Sequence, residues 1–129
     1  INSKKELFTD HIPELEKFDI HILFFNSNNS PESNKIKPIW QKIKQNLNNH
    51  SVNAYKIKMF EIDVDKKPLL TYKYNVKKYP SIYFSYYNKD IKKKYEYNDT
   101  ISYLSFIKSI NSIYKSILTQ RTIELFNVQ

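Results

Sequence analysis

The chain of 129 residues contains no cysteine and no glycine. Without thiols it can form neither a disulfide nor a thiolate metal site, and it has no sulfur with which to run dithiol exchange. That absence does not choose between a reducing and an oxidising compartment. Without glycine, every turn that needs a positive φ must find it from Asn or Asp. No apolar run approaches the roughly 20 residues of a membrane-spanning helix, so the chain reads as soluble, with no membrane span. The three histidines and the carboxylates show no metal-ligand spacing, and neither a metal nor any other cofactor is expected. No internal repeat is evident.

What is present is a basic, aromatic chain. A hydrophobic content of 40% and an aromatic content of 16% support an ordered core, and the length suits one compact domain. Residues 1–129 are therefore read as a single domain, with a helical extension after about residue 110. The net charge of +8 would attract nucleic acid, an anionic membrane or an acidic partner. Lys, Asn, Ile and Tyr are used heavily throughout, however, as in the products of AT-rich genes. Such a bias adds lysines without selecting a partner. The chain starts at Ile1, so any targeting segment would lie upstream, and the compartment stays open. Sequons at Asn28, Asn49 and Asn98 permit glycosylation if the protein is secreted.

Hydrophobic periodicity divides the chain. Lys4 to Lys17, with Leu7, Phe8, Ile12 and Leu15 near helical spacing and Pro13 interrupting, predicts a short, broken helix. Ile20 to Phe25 is a nearly unbroken apolar run of strand length, as expected of a central strand covered on both faces. From Pro31 to about Asn48, Ile36, Ile39, Trp40, Ile43 and Leu47 recur at helical steps, with Pro38 expected to interrupt and kink the helix. Asn53 to Asp65 reads as a second strand with Phe60, Ile62 and Val64 on one face, and Lys66 to Tyr74 as a short helix. Ser81 to Tyr87 and Ile91 to Tyr97 form a hairpin about Asn88-Lys89-Asp90. Asp99 or Asn98 would cap a last helix carrying Ile101, Leu104, Ile107, Ile110, Tyr114 and Ile117. The tail from Thr119 has no firm pattern.

Ser30-Pro31-Glu32-Ser33 stands at the mouth of the first long helix, just after the buried strand. Farther along come Ile62-Asp63-Val64-Asp65 and Pro68, then Lys73-Tyr74-Asn75-Val76 and Tyr79-Pro80-Ser81-Ile82-Tyr83-Phe84. In order and spacing these fragments resemble the thioredoxin family from about Phe18 to Ile110. The resemblance implies a thioredoxin fold: a central mixed sheet of four to five strands with helices on both faces. The family's usual first strand would be missing or lie around Ile1. It aligns Ser30 and Ser33 with the two cysteines of Cys-x-x-Cys, and Pro80 with the family's cis-proline. Other family positions differ as well. The tryptophan before the first cysteine is Asn29, the buried acid of the preceding strand is Phe24, and its lysine partner is Glu61.

Serine cannot replace a sulfur nucleophile, and His11, His21 and His50 show no sign of serving a serine as base. No catalytic residue is therefore assigned, and the reading leans away from an enzyme. Ser30-Pro31-Glu32-Ser33 is also accounted for by helix stability alone. Serine is a preferred N-cap, proline suits the first helical position, and glutamate complements the macrodipole. The first functional expectation is a redox-inactive thioredoxin-like protein holding an extended polypeptide in a groove formed by Asn29, Ser30, Pro31, Tyr79 and Pro80. A second is a thiol-disulfide oxidoreductase whose cysteines were replaced by serine. A third is a component of an RNA-protein assembly such as the splicing machinery, with nucleic acid the lesser partner class. Lys92-Lys93-Lys94 with Tyr95 and Tyr97 would suit it, although lysines of this kind also protect an edge strand. Among Tyr72, Tyr74, Tyr79, Tyr83, Tyr86 and Tyr87, half should be core by alternation, and Trp40 should be core.

Overall fold

A computed structural model describes residues 12–127. At its centre is β1 (Asp19–Asn26), all eight residues of which are buried. Helix α1 (Pro31–Leu47) follows, then the short β2 (Ser51–Val52), β3 (Tyr55–Asp63), α2 (Pro68–Lys73), the hairpin of β4 (Ser81–Asn88) and β5 (Ile91–Tyr97), and the long α3 (Tyr103–Asn127). The strands form one sheet in the order β2-β3-β1-β4-β5. β1 pairs parallel with β3 and antiparallel with β4, so its continuous apolar run has a strand on each side and a helical layer on each face.

Alternation along β1 divides the core. Ile20, Ile22 and Phe24 face Trp40, Ile43 and Leu47 of α1 and Phe106, Ile110, Ile113 and Ile117 of α3. Leu23 and Phe25 face the other way, where Ile62, Val64, Tyr74 and Tyr83 cluster around α2. β3 divides in the same way, its Tyr55, Ile57 and Met59 joining the first cluster and Phe60 and Ile62 the second. This is the α/β thioredoxin arrangement, with five strands and helices on both faces.

Several expectations change. Residues 12–17 are not helical, although Leu15 is buried; the Lys4–His11 part of that expected helix, and a first strand around Ile1, lie outside the described residues. The stretch read as one strand from Asn53 to Asp65 is shorter, and a turn at Asn53 and Ala54 returns it to β2. α2 is likewise shorter at both ends than Lys66 to Tyr74. Pro38 does not interrupt α1, which runs continuously past it. Pro38 and Asn34 are both exposed, so the Asn34 carbonyl that loses its helical donor is accessible to water.

The last helix is capped by Ser102, whose Oγ accepts the Ser105 backbone N–H at 3.2 Å, and not by Asp99 or Asn98. Asp99 accepts from the Thr100 backbone N–H instead. The buried stripe of α3 is Phe106, Ile110, Ile113 and Ile117, with Leu104 exposed, and the helix continues through the patternless tail to Asn127. Contacts hold α3 to both hairpins. Asn53 donates to Asn111 at 2.6 Å, and Lys89 in the β4–β5 turn pairs with Glu124.

Candidate functional site at the C-terminal end of β1

The loop leaving β1 is organised by serine hydroxyls. Ser30 is the N-cap of α1, with Pro31 in the first helical turn and Glu32 beside it. Its Oγ accepts the Ser33 backbone N–H at 3.2 Å, satisfying one of the free donors of the helix start. Ser33 is fully buried, and its Oγ accepts the Ser27 backbone N–H at 3.3 Å. Ser27 in turn donates its hydroxyl to Asp65 at 2.9 Å, and that same oxygen receives the Asn29 backbone N–H at 3.3 Å. Both serines at the expected motif positions are thus engaged in holding the loop and helix together. Asp65 closes the Ile62-Asp63-Val64-Asp65 fragment that carries the family resemblance, whereas Ser27, which joins it to the loop, gives no signal in the sequence by type or spacing.

The positions that would handle protons in a dithiol site are occupied differently. Phe24 is fully buried, with its ring centroid 5.1 Å from that of Trp40. Glu61 accepts hydrogen bonds from Asn26 at 3.3 Å and Gln41 at 2.8 Å, and pairs with Lys37 at 3.5 Å. A buried carboxylate-lysine pair is replaced here by an aromatic contact and a polar network partly open to water.

The Tyr79–Pro80 peptide bond is cis. Ser81, the next residue, pairs with Phe25 at the end of β1, so the Tyr79–Pro80 segment and the Ser27–Ser30 loop leave the sheet at the same end. Tyr79 is 43% exposed, and Asn29 and Pro31 are exposed as well. Among the described residues, no hydrogen bond joins Ser30 or Ser33 to Tyr79 or Pro80; what they share is an end of the sheet. Of the six tyrosines, Tyr74 and Tyr83 are buried, Tyr72 and Tyr79 are exposed, and Tyr86 and Tyr87 lie between. No group of three or more His, Asp or Glu side chains is placed to hold a metal among the described residues. None of their helices is long and apolar enough to cross a membrane.

A family model described as Thioredoxin matches residues 2–112. The chain belongs to the thioredoxin family. Within that family it is a domain without cysteine, so the Cys-x-x-Cys motif is absent. The fold is similar to that of the Trx4 domain of ERdj5, with a TM-score of 0.59 at 15% identity over 88% of this chain and 90% of that one. It is also similar to the first thioredoxin domain of mouse protein disulfide-isomerase A4, with a TM-score of 0.58 at 17% identity over 87% and 69% of the two chains. Against ERdj5 in crystal form II the TM-score is 0.66 at 15% identity; 81% of this chain is covered but only 14% of that one, so this thioredoxin-family chain spans a small part of that protein's length. A search of the curated proteins gives no match.

Proposed function

We propose that this thioredoxin-family domain holds an extended segment of a partner polypeptide at the end of the sheet bordered by Asn29, Ser30, Pro31, Tyr79 and Pro80, and performs no chemistry on it. The observation that carries this reading is the exposed Tyr79 beside Pro80, immediately before β4, at the sheet end where β1 delivers the Ser30 loop. An extended peptide lying there would meet an aromatic side chain and backbone groups not committed to the sheet, the combination used in strand-like recognition. The absence of thiols, with the Ser33 hydroxyl buried and the Ser30 hydroxyl engaged as a helix cap, supports binding without turnover.

The test uses a permanently unfolded, carboxymethylated polypeptide as probe. Tyr79→Ala should weaken its binding by at least about fivefold, since anchor aromatics contribute around 1 kcal/mol or more. Lys108→Ala, on the far helix, should leave binding unchanged. Insulin reduction by the unaltered protein should stay at background. Binding that is equal in the two variants, or absent from the unaltered protein, overturns the proposal.

A further inference from the structure

His21 lies in the middle of β1, between Lys58 of β3 and Ser85 of β4, and is only 2% exposed. Its Nε2 has no hydrogen-bond partner among the described residues. Asp19 Oδ2 stands 3.8 Å away, beyond hydrogen-bonding reach, and already accepts from Lys58 Nζ at 2.9 Å and the Glu16 backbone N–H at 3.2 Å. A buried imidazole nitrogen left in this state is costly, and a native interior seldom tolerates one without a use.

His21 is among the residues lining a cavity of about 240 Å³ on the α2 face of the sheet, whose other polar walls are Glu14, Lys73, Tyr74, Tyr87 and Lys92. A second cavity of about 200 Å³ shares Lys73, Tyr74 and Lys92 and adds Lys94. Lys94 is held there by its hydrogen bond to the Tyr74 carbonyl at 3.2 Å and by the faces of Tyr74 and Tyr83. Three ammonium groups therefore gather with Glu14 as the one carboxylate lining the first cavity among the described residues. Burial, and then the charges of Lys73 and Lys94, hold the Lys92 ammonium below its ordinary pKa against the opposing pull of Glu14. Like charges crowded around a concave, partly dry space raise the potential there and favour an anion.

We propose that this cavity binds a small oxyanion, a phosphate or carboxylate group, held by the ammonium groups of Lys73 and Lys92 and by a hydrogen bond from His21 Nε2. Neutral imidazole supplies one N–H donor and can place it on Nε2. The volume falls below the roughly 300 Å³ at which pockets for drug-sized ligands begin, so the occupant is a group of few heavy atoms. Phosphate and carboxylate share the required chemistry, and the two arms of the experiment separate them. The site stands on the face opposite α1 and α3 and is independent of the peptide-holding reading.

The test is a titration of ¹⁵N-labelled protein with inorganic phosphate in one arm and succinate in the other. Binding in either arm should move the imidazole nitrogens of His21 and the backbone amides of Lys73 and Lys92 along one saturable curve, with a dissociation constant of about a millimolar. Lys92→Gln and Lys73→Gln should each weaken it about tenfold, while Lys35→Gln on α1 leaves it unchanged. Because an anion beside an imidazole favours the imidazolium, the ligand that binds should also raise the His21 pKa, and tighten as pH falls through that pKa. Non-saturating shifts spread evenly over surface lysines, equal losses in Lys35→Gln and Lys92→Gln, or unmoved His21 nitrogens in both arms would overturn the proposal.

Discussion

Ser33 Oγ, with no exposed surface, accepts the backbone N–H of Ser27 across the turn that joins β1 to α1. The position aligned with the family's second cysteine has thereby become a structural acceptor. Removing it strands a donor, since Ser27 is itself buried. Ser33→Ala should destabilise by about 1–3 kcal/mol, the cost of an unsatisfied interior group. Ser30→Ala removes an N-cap that is only half-buried and should cost about 1 kcal/mol. Urea unfolding of the two variants measures both. Changes below a few tenths of a kcal/mol in each would show that neither hydroxyl supports the fold.

The second prediction concerns acid. Burial, opposed by the Asp19 charge and assisted by Lys58 and Lys92, pushes the His21 pKa from the ordinary 6.5 down to about 4. The folded ring then stays neutral between those values while the unfolded one takes up a proton. The unfolded state binds more protons across that window, so stability contributed by neutral His21 is fully present above pH 6.5 and is lost as pH falls through about 4. The charged groups facing the ring are Asp19, Lys58 and Lys92, with Glu14 and Lys73 on the walls of the same cavity. His21→Phe retains a ring beside Phe60 and removes the titration. Between pH 7 and pH 4 the unaltered protein should lose up to about 3 kcal/mol more than this variant, as read from thermal or urea unfolding at each pH. Parallel pH profiles for the two would refute the assignment.

The same residue illustrates where the sequence was legible and where it was not. β1 announced itself because a central strand must be apolar on both faces, and its run of Ile20 to Phe25 contains only one exception, His21. The order of strands and helices, the hairpin and the α1 cap were readable for similarly local reasons. His21 carries no site signal in the sequence, where Asp19 is the nearest ionisable neighbour and is itself held by Lys58. Its neighbours in the cavity come from the segment before β1, from α2 and from β5, and only tertiary packing brings Glu14, Lys73 and Lys92 together. The expected helix over residues 4–17 rested on a spacing that Pro13 already weakened, and its described part is not helical. α3 outran its pattern because much of its last two turns is exposed, with little apolar periodicity to be read there. At the candidate site, Ser30, Asp65 and Pro80 are readable by family pattern, whereas Ser27 gains its place only through the hydrogen bond its Oγ donates to Asp65 across the loop.

The absence of glycine leads to the last prediction. Positive φ is taken up by Asn49, Asn53 and Asn75, as a chain without glycine requires, but also by Ala54 at 70° and Lys89 at 60°. Asparagine tolerates the left-handed region through local hydrogen bonding, whereas the alanine Cβ crowds the following carbonyl at a cost of roughly 1–2 kcal/mol. Ala54 sits with Asn53 in the turn between β2 and β3, and its own side chain is exposed. Ala54→Gly relieves that crowding but lets the unfolded chain explore more conformations, which returns about 0.4–1 kcal/mol. The difference leaves a net stabilisation of up to about 1.5 kcal/mol, visible as a higher urea midpoint with unchanged slope. The opposite substitution at a negative-φ position on an exposed helix face, Lys42→Gly in α1, should lower the midpoint by a similar amount. A lower midpoint for Ala54→Gly would mean that the turn holds its left-handed alanine without strain.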